Sequence, residues 1–187
     1  MSNESKEEKV DKFRYNVLWR EQEQQAIREW WQNLDDNRGG RAKLRRCEKP
    51  EEILLQSSFY ELQQRFPKTP ALALAAVAGL LAHVKTNSEY SFPRQLGQQK
   101  EHSGKAVFSE LRFQQLLASR DIDELYENLR RAVMQLNRTA NILSLADGVL
   151  HWAQEQYDKN QFDERPEHRF QFAWAKAYFS EVLTYSK

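Results

Sequence analysis

The chain has 187 residues, of which 28 are Lys or Arg and 27 are Asp or Glu, so its formal net charge at pH 7 is +1. A hydrophobic content of 40% and an aromatic content of 12% exclude a disordered polymer and predict a globular fold. The balanced charge excludes attraction of nucleic acid by net charge alone, so any such binding must come from local clusters of cations.

Cysteine usage and the N-terminal sequence both bear on the cellular compartment. Cys47 is the only cysteine, which excludes an intramolecular disulfide and a cysteine-based zinc cluster and favours a reducing environment. Residues 1–12 are charged and polar and lack the apolar core of a signal peptide, and no run approaches the roughly 18 to 20 apolar residues of a membrane-spanning helix. We therefore expect a cytoplasmic protein.

The first part of the chain is predicted to contain a tail and one helix. Residues 1–12 cannot bury enough apolar surface to become ordered, and we treat residues 1–25 as a tail or extension. Apolar residues recur at helical spacing from Phe13 to Leu34, but a polar run at 21–25 interrupts the pattern, so we predict the helix over the second half, from Ala26 to Leu34. Asn and Gly residues over 35–40 then end this helix.

A cluster of cations follows this helix. The stretch from Arg38 to Cys47 contains five basic residues and no acid. If residues 41–47 are helical, Leu44 and Cys47 lie on one side and the basic residues lie elsewhere. This pattern predicts an apolar underside and a cationic upper face, with no local acid to balance the cations, and it favours binding of a polyanion.

Two further helices are predicted in the N-terminal half. Pro50 suits the first turn of a helix that Pro67 closes. Thr69 is predicted to cap the next helix, with Pro70 at its first position. That helix covers residues 71–84 and is apolar nearly all round, so we expect it to be the most buried helix of this half.

The least regular stretch covers residues 85–104. It shows no clear period and collects Gly, Pro, Ser and Asn, which predicts both a functional loop and a domain boundary. Helical periodicity resumes from Lys105 to Ala118. Asp121 and Asn141 are predicted to cap two further helices, and Pro166 is predicted to open the last one.

These patterns together predict an all-α protein made of two small helical bundles joined by a long loop, with about seven helices. No alternating β pattern and no hairpin turn pair is present. The predicted segments are 1–25 as the extension, 26–90 as the N-terminal bundle, 91–104 as the linker and 105–187 as the C-terminal bundle.

We find no pattern that predicts catalysis, a cofactor or a metal site. The four histidines are scattered without the spacing of paired metal ligands, so each is predicted to be a structural or surface residue. The six glycines form no phosphate-binding loop. Cys47 has a cationic setting that would activate a thiol, but its spacing from Leu44 favours a small buried hydrophobe. The sequence therefore predicts a protein that is not an enzyme.

The remaining functional signal is the clustering of cations on a helical protein. These cations are candidate residues for contacts with nucleic acid. For Arg130, Arg131 and Arg138 an alternative stays open, in which they only balance acids on a solvated helix face. The tryptophans lie at helical spacing with other apolar residues, which favours core packing over stacking on bases. The candidate nucleic-acid-binding residues are Lys43, Arg45, Arg46, Lys85, Arg94, Lys100, Lys105, Arg112, Arg120, Arg130 and Arg131.

Several short motifs, by their order and spacing together, are specific to one protein family. From about Ile27 to Trp152 the chain closely resembles the CasB family, the small subunits of the type I-E CRISPR surveillance complex, Cascade. The motifs that carry the resemblance are Trp30-Trp31-x-x-Leu34, Gly40-Arg41-Ala42-x-Leu44-Arg45-Arg46, Pro50, Ser103-Gly104-Lys105-Ala106, Arg112-Phe113-x-x-Leu116-Leu117 and Leu129-Arg130-Arg131-Ala132-Val133.

The resemblance implies a non-enzymatic, all-helical subunit that packs, usually as a pair, along the guide-RNA-bearing backbone of Cascade. It also implies that the subunit holds the displaced strand of the open R-loop. The implied partners are the backbone and large subunits of Cascade, its guide RNA, single-stranded and double-stranded DNA, and a second copy of the chain. Carried over by position, the DNA-facing residues are Arg46, Arg112 and Arg131, with Arg45, Arg130 and Lys105 as neighbours.

Three other functions stay open on the residues alone. The first is a purely structural assembly subunit whose basic patches contact protein. The second is a small helix-turn-helix DNA-binding regulator with residues 121–152 as its reading helices. The third is a hydrolase with an unrecognised His/Asp site.

Overall fold

Helices account for nearly all of the regular structure. A computed structural model describes residues 14–158 and 165–186, and the predicted tail over residues 1–12 lies outside them. The described residues form ten α-helices and two short strands, which confirms the all-α prediction. The helices are α1 (Glu21–Asp36), α2 (Arg38–Arg46), α3 (Pro50–Ile53), α4 (Ser57–Arg65), α5 (Ala71–His83), α6 (Phe92–Gly97), α7 (Glu110–Leu117), α8 (Ile122–Gln135), α9 (Ile142–Tyr157) and α10 (Phe170–Val182).

The two strands are short and lie far apart in the sequence. They are β1 (Thr86–Asn87) and β2 (Thr139–Ala140), and they pair in parallel with Thr86 opposite Thr139. β1 directly follows α5, and β2 lies between α8 and α9. The pairing therefore ties the end of α5 to the connection between α8 and α9.

Helices from both halves of the chain pack around α5. Its side chains are buried without a break from Ala73 to His83, as its nearly all-round apolar sequence predicted. Helices α2, α3 and α4 pack on it from the N-terminal half, and α8 and α9 from the C-terminal half. A Cβ atom at Gly79 would lie 2.4 Å from Ile53 Cδ1 and 2.5 Å from Tyr126 Oη, so α3 and α8 approach α5 too closely for a larger residue. The division into two bundles stays a prediction.

Two capping signals were read correctly from the sequence. The Asp121 carboxylate accepts a hydrogen bond from the Glu124 N–H at 2.8 Å, at the start of α8. The Asn141 side chain accepts one from the Ser144 N–H at 2.9 Å, at the start of α9. Both predicted caps are confirmed, because a cap depends only on residues within one helical turn.

Three predicted helix boundaries in the N-terminal half are wrong. Pro70, and not Thr69, is the N-cap of α5, because its extended backbone (ψ 126°) places it before the first helical residue. The single helix expected after Pro50 is divided into α3 and α4 by a turn at Leu55. The polar run at 21–25 does not interrupt the first helix, since α1 begins with this run.

The stretch over 85–104 is more ordered than its composition predicted. It contains β1 and the six residues of α6, in which Phe92 and Leu96 are fully buried. A helix this short shows too little of its period to be recognised in a sequence. The next helix, α7, begins at Glu110 rather than at Lys105, because the chain before it is hydrogen-bonded into a turn.

Residues 14–20 form an N-terminal strap that Asp147 of α9 fastens to the core. The Asp147 carboxylate is 1% exposed and accepts hydrogen bonds from the backbone N–H groups of Asn16 (3.0 and 3.1 Å), Val17 (2.7 Å) and Leu18 (2.8 Å). Burial raises the pKa of this carboxyl, and the three N–H donors oppose the shift because they stabilise its ionised form. The strap inserts the Leu18 side chain into the hydrophobic core.

Candidate nucleic-acid interface

The underside of α2 holds this cationic helix on the core. Leu44 is fully buried and Cys47 is 4% exposed, which confirms the predicted apolar side. Asn37 caps the helix by accepting a hydrogen bond from the Gly40 N–H at 2.9 Å. A Cβ atom on Gly40 would lie 2.2 Å from Ser58 Oγ, so α2 and α4 approach too closely there for a larger residue.

The Cys47 thiol is a packing group in this structure. It donates a weak hydrogen bond to the Lys43 carbonyl, with Sγ and the oxygen 3.4 Å apart. Burial raises the pKa of the thiol, and the charge of Glu52 adds to the shift. A raised pKa reduces the fraction of reactive thiolate, which argues against a nucleophilic cysteine.

Arg41 is neutralised within the fold, so the expectation that no acid balances the cations of α2 is wrong at this residue. Its guanidinium forms an ion pair with Asp35 from the end of α1, and its Nη2 donates to the Val84 carbonyl at 2.9 Å. The guanidinium carbon also lies 5.9 Å from the centre of the Trp31 ring. Arg41 therefore fastens α2 to α1 and to the end of α5.

The last turn of α2 carries cations that the fold leaves without acids. Lys43 and Arg46 are exposed, and Arg45 is half-buried. Within residues 14–158 and 165–186 none of the three forms an ion pair, although the negative end of the helix dipole favours them there. The Cys47 carbonyl accepts a hydrogen bond from the Tyr126 hydroxyl at 3.4 Å, so this end of α2 lies against α8.

Acids and cations are separated along α8. Its three acids all lie in the N-terminal half, and each has a basic partner. The pairs are Lys49–Asp123 at 3.5 Å, Arg120–Glu124 at 3.3 Å and Arg131–Glu127. Across the described part of the chain, Arg130 and Arg138 form no ion pair. The alternative in which these arginines only balance local acids therefore explains Arg131 but not Arg130 and Arg138.

Gln135, the last residue of α8, connects this helix to two neighbouring segments. Its Oε1 accepts a hydrogen bond from Arg112 Nη1 of α7 at 2.9 Å, and its Nε2 donates to the Val107 carbonyl at 2.6 Å. Arg131 lies one turn before Gln135 and therefore on the same face of the helix. Arg112 and Arg131 thus share one exposed face at the C-terminal end of α8.

The chain before α7 forms a turn that presents two lysines. The Val107 N–H donates to the Gln98 carbonyl at 2.8 Å, and inside the turn the Lys100 N–H donates to the Lys105 carbonyl at 2.8 Å. Gly104 has a φ of 70°, a left-handed conformation that favours glycine. Both lysines are exposed, and the bond from α8 to the Val107 carbonyl holds the turn beside the end of that helix.

The pKa of His83 responds to the charges of cations from several segments. It is the last residue of α5 and is 8% exposed. Its pKa is lowered from 6.5 to about 4, mainly by burial and further by the positive charges of Arg130, Arg138 and Arg45. His83 is therefore neutral at pH 7, and arginines from α2, from α8 and from the turn before β2 act on the same buried imidazole.

The lowered pKa of His83 predicts acid sensitivity of the fold. A histidine whose folded pKa is depressed contributes stability that is present above pH 6.5 and is lost as the pH falls toward 4. We expect His83→Gln to remove this component, which amounts to about 3 kcal/mol of unfolding free energy. Urea unfolding at a series of pH values measures it, with His102→Gln on the exposed turn as the control. An unchanged pH dependence in His83→Gln would contradict the prediction.

Two of the predicted residues are separated from this group. Arg94 forms an ion pair with Glu181 at 2.7 Å and so fastens α6 to α10, and Arg120 lies at the opposite, N-terminal end of α8. Lys85 is close to the group, because its N–H donates to the Arg138 carbonyl at 2.8 Å. We name the nine other predicted residues, together with Arg138, the α8 cluster: Lys43, Arg45, Arg46, Lys85, Lys100, Lys105, Arg112, Arg130, Arg131 and Arg138.

Sequence reasoning missed Arg138 as a candidate and predicted only a structural or surface role for His83. The only signal for Arg138 in the sequence was its position shortly after a predicted helix that carries Arg130 and Arg131. Nothing near His83 in the sequence indicates its surroundings, since the arginines that act on it lie 38, 47 and 55 positions away.

The chemistry that these residues offer is charge and hydrogen-bond donation. Among the described residues no group of three or more His, Cys, Asp or Glu side chains is placed to hold a metal ion. We also find no described helix with the length and apolar character needed to cross a membrane. Lys and Arg side chains such as those of the α8 cluster have the chemistry for contacts with phosphate groups.

Comparison with known proteins identifies the family. The model of the family described as CRISPR-associated protein Cse2 matches residues 40–179, about three quarters of the chain, and this span includes every member of the α8 cluster. No curated protein and no solved structure matches the chain. The resemblance found in the sequence is therefore confirmed: the chain belongs to the Cse2 family, the CasB small subunits of the type I-E CRISPR complex Cascade.

Proposed function

We propose that this subunit binds DNA without sequence specificity and stabilises the R-loop by holding the displaced non-target strand, and that it catalyses no reaction. Membership of the Cse2 family makes the chain a subunit of a CRISPR Cascade complex. Its proposed partners are the backbone and large subunits, the guide RNA complex, single-stranded and double-stranded DNA, and a second copy of the chain.

The proposal rests on a set of cationic side chains that have no acidic partner. Arg45, Arg130 and Arg138 come from separate segments and act on the same buried histidine, and within the described chain none of them has an acidic partner. Like charges held close together repel one another, so a partner that brings negative charge would relieve the fold of this repulsion. The phosphates of a DNA strand bring that charge at regular intervals.

Binding through phosphates also fits the lack of any base-reading element. In an RNA-guided complex, pairing with the guide supplies the sequence information, and the protein needs only to hold the backbone of the displaced strand. A helix-turn-helix reading of residues 121–152 is disfavoured, because α9 is buried at every residue from Ile142 to Ala153. A helix without an exposed face cannot enter the major groove.

Affinity measured against salt concentration tests the proposal. The isolated protein should bind a dT oligonucleotide, a mixed-sequence strand and its scrambled version with affinities that agree within about threefold, because phosphate contacts carry no sequence information. The slope of log affinity against log salt should be roughly 0.7 per phosphate contacted on single strands and 0.9 on duplexes. Strong preference for one sequence would contradict the proposal and favour a regulator.

A purely structural assembly subunit is the second candidate, and exposed apolar side chains favour it. Leu111 on α7 is 71% exposed and Phe172 on α10 is 50% exposed, and Phe172 borders a groove between these helices. Exposed apolar surface of this kind is common at protein interfaces. The Arg46→Glu variant separates the candidates: assembly into Cascade with loss of target DNA supports strand holding, whereas failure to assemble supports the structural role.

A further inference from the structure

A cavity of about 590 Å³ lies between the N-terminal strap, α9 and the segment before α10. Arg14 and Trp19 of the strap line it, together with His151 of α9 and with Arg165 and His168 before α10. Its volume is within the range of small-molecule sites, which is about 300 to 1,000 Å³. No residue of the α8 cluster lines this cavity, so it is separate from the candidate interface described above.

The charge of the cavity lining favours an anion. Arg14 and Arg165 contribute guanidinium groups, and no carboxylate is among the described residues that line the cavity. Arg14 is exposed and forms no ion pair with any described residue. The carboxylate of Glu155, one turn after His151 on α9, accepts a hydrogen bond from His151 Nε2 at 3.0 Å. The acid nearest to the cavity on α9 is therefore already paired.

Buried contacts hold two walls of the cavity in place. Asp147 fastens the strap to α9 through three backbone N–H groups, and Gln24 Nε2 donates to the Leu18 carbonyl at 2.8 Å. On the other side, Glu155 Oε1 accepts a hydrogen bond from the Phe170 N–H at 2.7 Å, which holds the start of α10 against α9. A site with fixed walls loses little conformational freedom when it binds a ligand.

Trp19 gives the cavity an aromatic surface. It is 64% exposed, whereas Trp30, Trp152 and Trp174 are buried in the core. The guanidinium carbon of Arg20 lies over its ring, 4.6 Å from the centre, and adds a further positive charge beside the cavity. An exposed indole next to cationic side chains is the combination on which nucleic-acid bases stack. Trp19 is thus the exception to the predicted use of tryptophan in core packing.

We propose that this cavity binds one nucleotide, with its phosphate held by Arg14 and Arg165 and its base stacked on Trp19. Guanidinium groups form charge-assisted hydrogen bonds to phosphate oxygens, often two at once. The amide side chains of Asn16 and Gln154 also line the cavity and have both donors and acceptors for the edge of a base. An acidic peptide would satisfy the arginines but would leave the indole without a stacking partner.

The inference goes beyond the proposed function, because it assigns a site that uses no residue of the α8 cluster. The shared chemistry of the ligand is a phosphate joined to a base through a sugar. A free nucleotide and a nucleotide within a single strand both have it, and the experiments below separate these two sources.

Calorimetric titration with deoxyadenosine monophosphate (dAMP) is the first test. Wild-type protein should bind dAMP about tenfold or more tightly than deoxyadenosine or inorganic phosphate, because only dAMP engages both the arginines and the indole. Arg14→Gln and Trp19→Ala should each weaken binding about tenfold. Both side chains are exposed, so these variants should fold.

Two variants outside the cavity are the controls for this titration. Arg65→Gln removes an exposed cation from α4, and Phe172→Ala removes an exposed ring from α10. Both should bind dAMP as the wild type does, since neither residue lines the cavity. No binding of dAMP by the wild type would overturn the proposal, as would equal binding in Arg14→Gln and Trp19→Ala. Inorganic phosphate bound as tightly as dAMP would also overturn it.

Tryptophan fluorescence gives a second test on the wild-type protein. Acrylamide is an uncharged quencher that reaches exposed indoles, and Trp19 is the tryptophan most open to it. A base stacked on Trp19 should remove most of the acrylamide quenching when dAMP saturates the cavity, whereas inorganic phosphate should not. Unchanged quenching with saturating dAMP would overturn the stacking on Trp19.

The triple variant Arg46→Ala, Arg112→Ala and Arg131→Ala distinguishes this site from the proposed function. It should bind dAMP as the wild type does, because none of the three residues lines the cavity. If the wild type binds DNA with the expected salt slope but no dAMP, the function stands and the nucleotide site fails. If it binds dAMP but no DNA, the site stands and the function fails.

The same triple variant identifies the source of the nucleotide. A single-stranded dA oligonucleotide that displaces dAMP from it, and that binds more weakly when Arg14→Gln is added, assigns the cavity to a nucleotide of a strand. An oligonucleotide that does not displace dAMP assigns the cavity to a free nucleotide.

Discussion

Replacing Asp147 by alanine should lower the unfolding free energy by about 3 kcal/mol and release the N-terminal strap from α9. The buried carboxylate is the acceptor for the backbone N–H groups of Asn16, Val17 and Leu18. Hydrogen bonds to a charged acceptor are worth more than neutral ones, and donors that lose the acceptor must either stay buried without a partner or move into water. Detachment of the strap also withdraws the Leu18 side chain from the core.

Urea unfolding measures the loss of stability, and amide hydrogen exchange shows where it arises. In Asp147→Ala the amides of residues 16–18 should lose protection, while amides in α5 should open only through global unfolding. Asp36→Ala, which removes an exposed carboxylate at the end of α1, is the control and should change stability by less than about 0.5 kcal/mol. Retained protection at residues 16–18 in Asp147→Ala would contradict this role.

A triple variant with Arg46→Ala, Arg112→Ala and Arg131→Ala should bind single-stranded DNA about two to three orders of magnitude more weakly near 0.1 M salt. Each arginine that contacts one phosphate releases counterions worth roughly 0.7 in the log-log salt slope, which is about fivefold in affinity at that salt concentration. The slope of the triple variant should therefore fall by about two units. Fluorescence anisotropy with a labelled dT oligonucleotide measures both quantities.

Two variants control for the change in net charge. Arg65→Ala removes a cation that pairs with Glu29 of α1 at 2.8 Å, and its salt slope should match that of the wild type. Glu127→Gln removes the partner of Arg131 and should tighten binding a few-fold, because that arginine then binds phosphate without giving up an ion pair. If the triple variant kept the wild-type slope, these three arginines would not contact DNA.

Although the net charge is only +1, the charged residues are unevenly distributed over the protein. At the start of α8, Asp123 and Glu124 are matched by Lys49 and Arg120, whereas Arg112, Arg138 and the turn that carries Lys100 and Lys105 lie at the C-terminal end of the helix. Electrostatic attraction between exposed charges decays over about 10 Å at 0.1 M salt, so a nearby strand responds to the local cations rather than to the total charge. A nearly neutral protein can therefore bind a polyanion at one surface.

The sequence by itself determined the features that depend on nearby residues. The caps at Asp121 and Asn141 and the burial of α5 were predicted correctly, because each follows from contacts or periodicity within a few helical turns. The apolar underside of α2, with Leu44 and Cys47, was predicted for the same reason. The spacing of short motifs also sufficed to identify the family, which the family comparison confirms.

Only the tertiary structure decided which charges lie together. Folding gives Arg41 an acid from α1, brings the Asp147 carboxylate to the strap and leaves Arg130 and Arg138 without an acidic partner in the described chain. It also exposes the pKa of His83 to the charges of arginines that lie far from it in the sequence. The physical reason is that helical periodicity fixes which side of each helix is buried, whereas the packing of α2 and α8 on α5 fixes which exposed sides become neighbours.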